Sequence, residues 1–294
     1  MPAPPAHPAA FSFDVEDWYH PELLRDRVSA GDPRTVVLEG TGAILDRLRR
    51  HRVQATFFVV GHVAARHPDL LRRIADEGHE IACHGMTHRP LWVLDPESFR
   101  SELRAFRAAV HGALGSDPVI GYRAPTFSLD RSTAWALAVL RDEGFAYDSS
   151  VFPMRVRLYG VPGAPLGIYR PAPDDPARHD PDGPLVEFPV AVADIAGIRL
   201  PVGGGFYLRA FPLALLVAAL DGIARRRPFA LYLHPWECVS GLPRVRLPAT
   251  DAFITYHRLD TVGPKLDRLL TRYRSVPMRE ILEHAGHLAP ASAA

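Results

Sequence analysis

A chain of 294 residues is long enough for one α/β barrel or for two ordinary domains. Its 34 basic and 33 acidic residues leave a formal charge of +1, so bulk charge offers no footprint for a nucleic acid. Two cysteines rule out a disulfide framework, and no apolar stretch approaches the roughly 18 residues of a membrane-spanning helix.

The opening Met1-Pro2-Ala3-Pro4-Pro5-Ala6-His7 has neither a basic nor an apolar signal region, so residues 1–9 read as a disordered leader. The first strand, Phe11 to Asp14, ends abruptly in Asp14, Glu16 and Asp17, where a parallel α/β protein places its chemistry. Val36 to His51 reads as a helix with Val37, Ile44, Leu45 and Leu48 on its apolar face. Ala55 to Gly61 follows as a strand buried on both sides. The helix from Pro68 to Glu77 starts on proline and stops at Gly78, a left-handed C-cap. Gly78 to Cys83 is then a strand that delivers His84, and His84-Gly85-Met86-Thr87-His88 sets two imidazoles four residues apart, close enough to grip one divalent ion.

Pro96 to Leu114 is the next helix, Pro118 to Pro125 a strand with its exit turn, Asp130 to Glu143 a helix ended by Gly144, and Phe145 to Ser150 a short strand. From Arg155 to Pro184 the many Pro, Gly and Asp residues without periodicity predict a long surface excursion. Structure resumes at Leu185 to Val190. Pro201 to Tyr207 is a glycine turn, read as a flexible lid or a close-packed corner. Phe211 to Arg226 is a helix and Pro228 to His234 the last strand; helices over Gly263–Tyr273 and Met278–His284 close the chain, and 288–294 is a frayed tail. Strands alternating with amphipathic helices are the signature of repeated βα units, hence an α/β fold. The arginine-rich runs, such as Arg225-Arg226-Arg227, read as solvated helix surface.

Four strand ends now carry reactive residues: Asp14 with Glu16 and Asp17, His84 with His88, Arg123, and His234. In order and spacing these resemble the polysaccharide deacetylase family, the NodB-homology carbohydrate esterases, over about residues 10 to 240. The motifs are Phe13-Asp14-Val15-Glu16-Asp17, His84-Gly85-Met86-Thr87-His88, Arg123-Ala124-Pro125 and Leu231-Tyr232-Leu233-His234-Pro235. Asp14-Val15-Glu16-Asp17-Trp18, Tyr147-Asp148-Ser149-Ser150 and Leu233-His234-Pro235-Trp236-Glu237 are similar to the branch found with exosortase and exopolysaccharide gene clusters.

The resemblance implies an irregular (β/α)7-type barrel over 10–240 with a short helical C-terminal extension, 241–287, packed on it. It implies metal-assisted hydrolysis of an N-acetyl group on a saccharide, with zinc first among the candidate ions and cobalt, nickel or manganese as alternatives. Asp14 would be the general base, Arg123 would hold it ionised, and His234 would protonate the departing amine. His84 and His88 would bind the metal. Because Val15 separates Asp14 from the next carboxylate, the third ligand is either Glu16 or Asp17. Pro125 and Thr126 of the Arg123 motif would sit at the substrate, Thr126 offering a backbone N–H to the oxyanion, and Tyr207 and Trp236 would wall the substrate pocket or belong to aromatic core. Glu187 and Glu237 are candidate orienters of the ligands, and Asp148 and Ser149 either anchor a turn or support the site. Another amide hydrolase on the same fold, such as a deformylase or ring-opening amidase, is the runner-up. A non-catalytic carbohydrate-binding relative would be marked by loss of Asp14, a metal histidine or His234, and all are present. The protein is expected in the cytoplasm, without a nucleic-acid partner or an integral membrane segment. Its oligomeric state is not written in the sequence.

Overall fold

The computed structural model describes residues 6–28 and 34–290, so the first five residues of the leader and the last four of the tail lie outside the described residues. The strands are β1 (Ala9–Val15), β2 (Thr56–Val59), β3 (Glu80–Cys83), β4 (Gly121–Tyr122), β5 (Tyr147–Asp148), β6 (Pro171–Ala172), β7 (Asp175–His179), β8 (Val186–Glu187), β9 (Val192–Ile195), β10 (Ile198–Pro201) and β11 (Phe229–Leu233). Seven form one sheet in the order β11-β1-β2-β3-β4-β5-β8, with every pairing parallel. Single bridges from Val190 to Ala230 and from Gly204 to Tyr232 span the gap between β8 and β11. The sheet thus curls into a half-barrel of the expected (β/α)7 type.

Parallel neighbours need long crossovers, and helices supply them: α1 (Glu22–Arg25) and α2 (Val37–His51) after β1, α3 (Gly61–Arg66) and α4 (Pro68–Asp76) after β2, α5 (Pro96–Leu114) after β3, and α6 (Trp135–Asp142) after β4. Helices α7 (Gly205–Ala210) and α8 (Leu213–Ala224) precede β11; α9 (Ala249–Tyr256), α10 (Val262–Arg272) and α11 (Met278–His284) follow it. Each strand of this sheet is buried on both faces, and side chains alternate between them. Phe11, Phe13 and Val15 of β1 join Ile44, Leu45 and Leu48 of α2 and Leu266 of α10 in the outer core. Ala10 instead meets Phe58, Ala82 and Ala230 in the barrel interior.

Helix α11 packs on the floor of the barrel. Met278, Ile281 and Leu282 pack into the interior cluster, and the Met278 and Arg279 N–H groups donate to Thr56 Oγ1 and Glu80 Oε2 at 2.8 and 3.1 Å. The C-terminal ends of the strands are left for chemistry.

Several expected boundaries differ. The segment 130–143 splits because the Asp130 carboxylate accepts from the Ser132 N–H at 2.8 Å and caps a 3-10 turn over Arg131–Thr133, so α6 begins only at Trp135. The strands expected over 118–125 and 145–150 pair over two residues each. The 155–184 excursion also has an inward side: Ala164, Tyr169 and Ala172 are buried, and β6 and β7 form an antiparallel hairpin. The helices α1, α3, α7 and α9 and the β9–β10 hairpin were not expected. The glycine turn is a close-packed corner, since a Cβ on Gly204 would lie 2.8 Å from the Tyr232 ring and one on Gly205 2.0 Å from a Glu237 carboxylate oxygen. Among the described residues no helix is long and apolar enough to cross a membrane.

Candidate active site and metal centre

Residues two apart on a strand share a face, so the exit of β1 sends Asp14 and Glu16 to the same side and Asp17 to the other. Asp14 and Glu16 line a pocket at the C-terminal rim of the barrel. Asp17 is occupied elsewhere: Oδ1 accepts from the Trp18 and Val36 N–H groups, both at 3.0 Å, and Oδ2 from the Thr35 hydroxyl. Its carboxylate ties the chain leading into α2.

The β3 end supplies the imidazoles. The His84 N–H prolongs the ladder to Val59 at 2.9 Å. Gly85 then takes φ +73°, a backbone that a side chain would strain, and His88 itself sits at φ +56°. Glu102 of α5 holds this tight loop, accepting from the Met86 and Thr87 N–H groups at 2.9 Å each and from the Thr87 hydroxyl at 2.5 Å. His84 Nδ1–H donates to the Arg123 carbonyl at 2.9 Å, which leaves the Nε2 lone pair open to a cation. His88 Nε2 lies 2.5 Å from Glu16 Oε2. Among the described residues, Glu16, His84 and His88 bring one ligand atom each within 4.8 Å of one another, all buried.

These three residues fit a divalent cation on their own geometry. Glu16 Oε2 is buried without a hydrogen-bond partner despite the imidazole beside it, so donor atoms converge without satisfying each other. A buried lone pair left this way costs about 1–3 kcal/mol unless something fills the gap. Burial pushes the Glu16 carboxyl up, but the imidazoles of His88, His234 and His84 outweigh it and hold the carboxyl well below its usual range. Burial pulls His84 down to about 4, which keeps it in the neutral, ligating form. Two imidazoles and one carboxylate leave positions open for solvent and substrate.

Arg123 is wholly buried and fixes Asp14. Nη1 donates to Asp14 Oδ1 at 2.6 Å and to Ser12 Oγ at 2.9 Å; Nε and Nη2 donate to the carbonyl and hydroxyl of Ser149, at 3.0 and 2.9 Å. The guanidinium lies over the Phe58 ring, 4.0 Å from its centroid. Ser149 thus supports the site, while Asp148 accepts from the Ser150 hydroxyl and Glu187 from the Val151 N–H at 2.9 Å, both outside the pocket lining.

On the opposite wall, His234 Nε2 faces Glu16 Oε1 at 3.6 Å and Nδ1 donates to Glu237 Oε2 at 3.1 Å. Glu237 Oε1 accepts from Arg209 Nε at 3.1 Å, and Arg209 reaches on to the carbonyls of Ile254 and His257 at 2.9 and 2.6 Å. Burial alone would lower the His234 imidazolium; Glu237, Glu16 and Asp14 overcome it and raise the group to about 9.

Of the four residues expected at the substrate, Thr126 and Trp236 line the pocket, whereas Pro125 and Tyr207 are absent from its lining. Phe206 takes the place expected of Tyr207, because adjacent helical residues point in different directions. Tyr207 packs on Phe152 and Phe211 instead. Thr126 has φ +58°, an unfavourable backbone for a threonine. Trp236 stacks on His234 at 5.1 Å, and its buried indole N–H has no partner among the described residues. Sequence reasoning missed Arg209 and Arg25, whose Nη2 donates to the His88 carbonyl. Neither carries a local signal: their partners lie 28 and 63 residues away.

Residues 32–146 match the polysaccharide deacetylase family, and residues 149–283 match a Domain of unknown function (DUF3473). A chitooligosaccharide deacetylase of Rhizobium leguminosarum bv. trifolii is 49% identical over 73 residues, 25% of this chain and 34% of that one. A peptidoglycan-N-acetylglucosamine deacetylase of Bacillus cereus is 41% identical over 66 residues, 22% and 24% of the two chains. The matches thus span about a third or less of these relatives. A crystal structure from Mycobacterium smegmatis, assigned to the polysaccharide deacetylases, superposes over 100% of this chain and 96% of its own, with a TM-score of 0.63 and 26% identity.

Proposed function

We propose that this chain, whose residues 32–146 match the polysaccharide deacetylase family, hydrolyses the N-acetyl group of an amino-sugar residue in a polysaccharide or its saccharide precursor, releasing acetate and a free amine. The observation that carries this reading is the convergence of Glu16, His84 and His88 beside an Arg123-held Asp14 and a His234 raised to about 9. A divalent ion, zinc in our reading, held by Glu16, His84 and His88 would act as a Lewis acid on the acetyl carbonyl and lower the pKa of a water.

The remaining steps belong to the chain. Arg123 holds Asp14 through Oδ1, so Oδ2 is the oxygen that takes the proton of the attacking water. The Thr126 N–H, which makes no hydrogen bond among the described residues, donates to the developing oxyanion. His234, its Nδ1 fixed by Glu237, carries the proton at Nε2 that passes to the departing sugar nitrogen. Without that proton the amine is a poor leaving group. Trp236 offers its unpartnered indole N–H to a sugar hydroxyl. The exopolysaccharide setting and a cytoplasmic site of action belong to the same proposal; Cys83 and Cys238 both carry free thiols, consistent with a reducing compartment.

Acetate release from N-acetylated chitooligosaccharides by the zinc-supplied protein tests the reading. Asp14→Asn should lower the rate by ~10²–10⁴-fold, the usual contribution of a positioned base, while metal binding persists. A wild-type protein that releases no acetate from any N-acetylated saccharide would sink it.

A further inference from the structure

The catalytic pocket holds only about 140 Å³, enough for the acetamido end of a sugar and too small for the rest of a saccharide. Most of the substrate must lie outside it. Through the wall formed by His88 the pocket adjoins a second basin of about 470 Å³, within the range of small-molecule sites.

The lining of this basin is cationic. Arg25, Arg66 and Arg89 border it and carry the charge, while His20, His62 and His67 also line it, burial lowering His20 and His67 toward the neutral form. Among the described residues three carboxylates bear on that charge, and Arg89 is near enough to Asp95 to help the Ser98 N–H hold its carboxyl below the usual range. Asp17 has both oxygens committed to the Trp18 and Val36 N–H groups and the Thr35 hydroxyl, and Glu22 stands 3.6 Å from Arg25. Arg66 has no ion pair among the described residues, and Arg89 donates to the neutral Val93 carbonyl at 2.9 Å. Guanidinium forks without a salt-bridged carboxylate in a concave surface, as at Arg66 and Arg89, are matched by planar or tetrahedral oxyanions.

We infer that this basin is an anion-accepting subsite, and that the substrate is a saccharide with a carboxylate or phosphate substituent on the acetamido sugar or on the residue next to it. The inference rests on the deacetylase reading and names its substrate class. Arg66 and Arg89 make the discriminating contacts. Arg25 combines contact with support of the His88 loop, since it donates to the His88 carbonyl and its Nη2 lies 3.4 Å from His88 Nδ1.

Binding, measured by calorimetry on the zinc-supplied protein, tests this independently of turnover. The ligands are N,N′-diacetylchitobiose, a disaccharide of glucuronate and N-acetylglucosamine, and N-acetylglucosamine 1-phosphate. At least one anionic ligand should bind tenfold or more tighter than the neutral one, and which of the two does so identifies carboxylate or phosphate as the source. The Arg66→Ser/Arg89→Ser double variant should lose at least fivefold of that ratio, whereas Arg226→Ser, on a distant helix end, should keep it. Raising the salt should reduce the ratio, as for any exposed charge contact. Equal affinity for neutral and anionic ligands, or a preference that survives the double variant, would overturn the subsite. If the preference stands while no saccharide releases acetate, the subsite holds and the deacetylase reading falls.

Discussion

Two glutamates are buried inside the same barrel, Glu16 at the C-terminal rim and Glu80 near the floor, and they are treated in opposite ways. Glu80 has partners on both oxygens: Oε1 accepts from the Tyr147 hydroxyl at 2.9 Å, and Oε2 from the Thr56 hydroxyl and the Arg279 N–H at 2.8 and 3.1 Å. Glu16 leaves Oε2 without a hydrogen bond and surrounds it with imidazoles. Burial raises the Glu80 carboxyl, whereas His88, His234 and His84 overcome burial to hold Glu16 low. A buried acid with all its bonds made is part of the scaffold; one left open among imidazoles is poised for a cation.

The contrast breaks most sharply at the rim. His84→Ala or Glu16→Ala should abolish metal binding and lower acetate release by ~10³-fold or more, since Lewis-acid assistance supplies several kcal/mol. Glu16→Ala should lower the melting temperature of metal-free protein less than Glu80→Ala does, because Glu16 Oε2 makes no hydrogen bond there, while His84→Ala also loses the buried bond to the Arg123 carbonyl. Glu80→Ala should do the reverse. It strands three donors on the barrel floor and should cost about 1–3 kcal/mol in urea unfolding while metal content and rate persist.

His234 sharpens the comparison through pH. In metal-free protein its imidazole should titrate near 9 by NMR, and Glu237→Gln should bring it down toward the ordinary 6.5. A raised pKa means that protonation favours the folded state. That contribution is complete below 6.5 and disappears as pH rises through about 9. A divalent ion at Glu16 should lower the His234 value, as a neighbouring positive charge must. The smallest effect is expected at Asp17, where Asp17→Asn keeps an acceptor oxygen and should cost about 1 kcal/mol or less, with metal content unchanged.

The sequence was most legible where local chemistry agreed with tertiary need. Pro96 and the Asp95 cap, which accepts from the Ser98 N–H at 2.7 Å, open α5, and Gly115 at φ +73° closes it. The parallel α/β class also followed from the strand and helix alternation. Position was harder to read than type. Helix α9 escaped because Phe253 is half exposed and Ile254 faces the pocket, so no apolar stripe marks it. The site showed the same limit. Asp14, His84, Arg123 and His234 were visible as strand ends, yet the sequence left Glu16 and Asp17 equivalent. Strand alternation separates them once β1 is known to run through Val15. Arg209 was invisible because only the folded chain brings α7 under Glu237.

The central claim is that Glu16, His84 and His88, and not Asp17, form one cation site. Its most direct test is metal content by mass spectrometry on wild type, Glu16→Ala and Asp17→Asn, each dialysed after zinc loading. The account predicts about one ion per chain in wild type and Asp17→Asn and almost none in Glu16→Ala. Retention by Glu16→Ala with loss in Asp17→Asn, or a wild type that holds no metal, would contradict it.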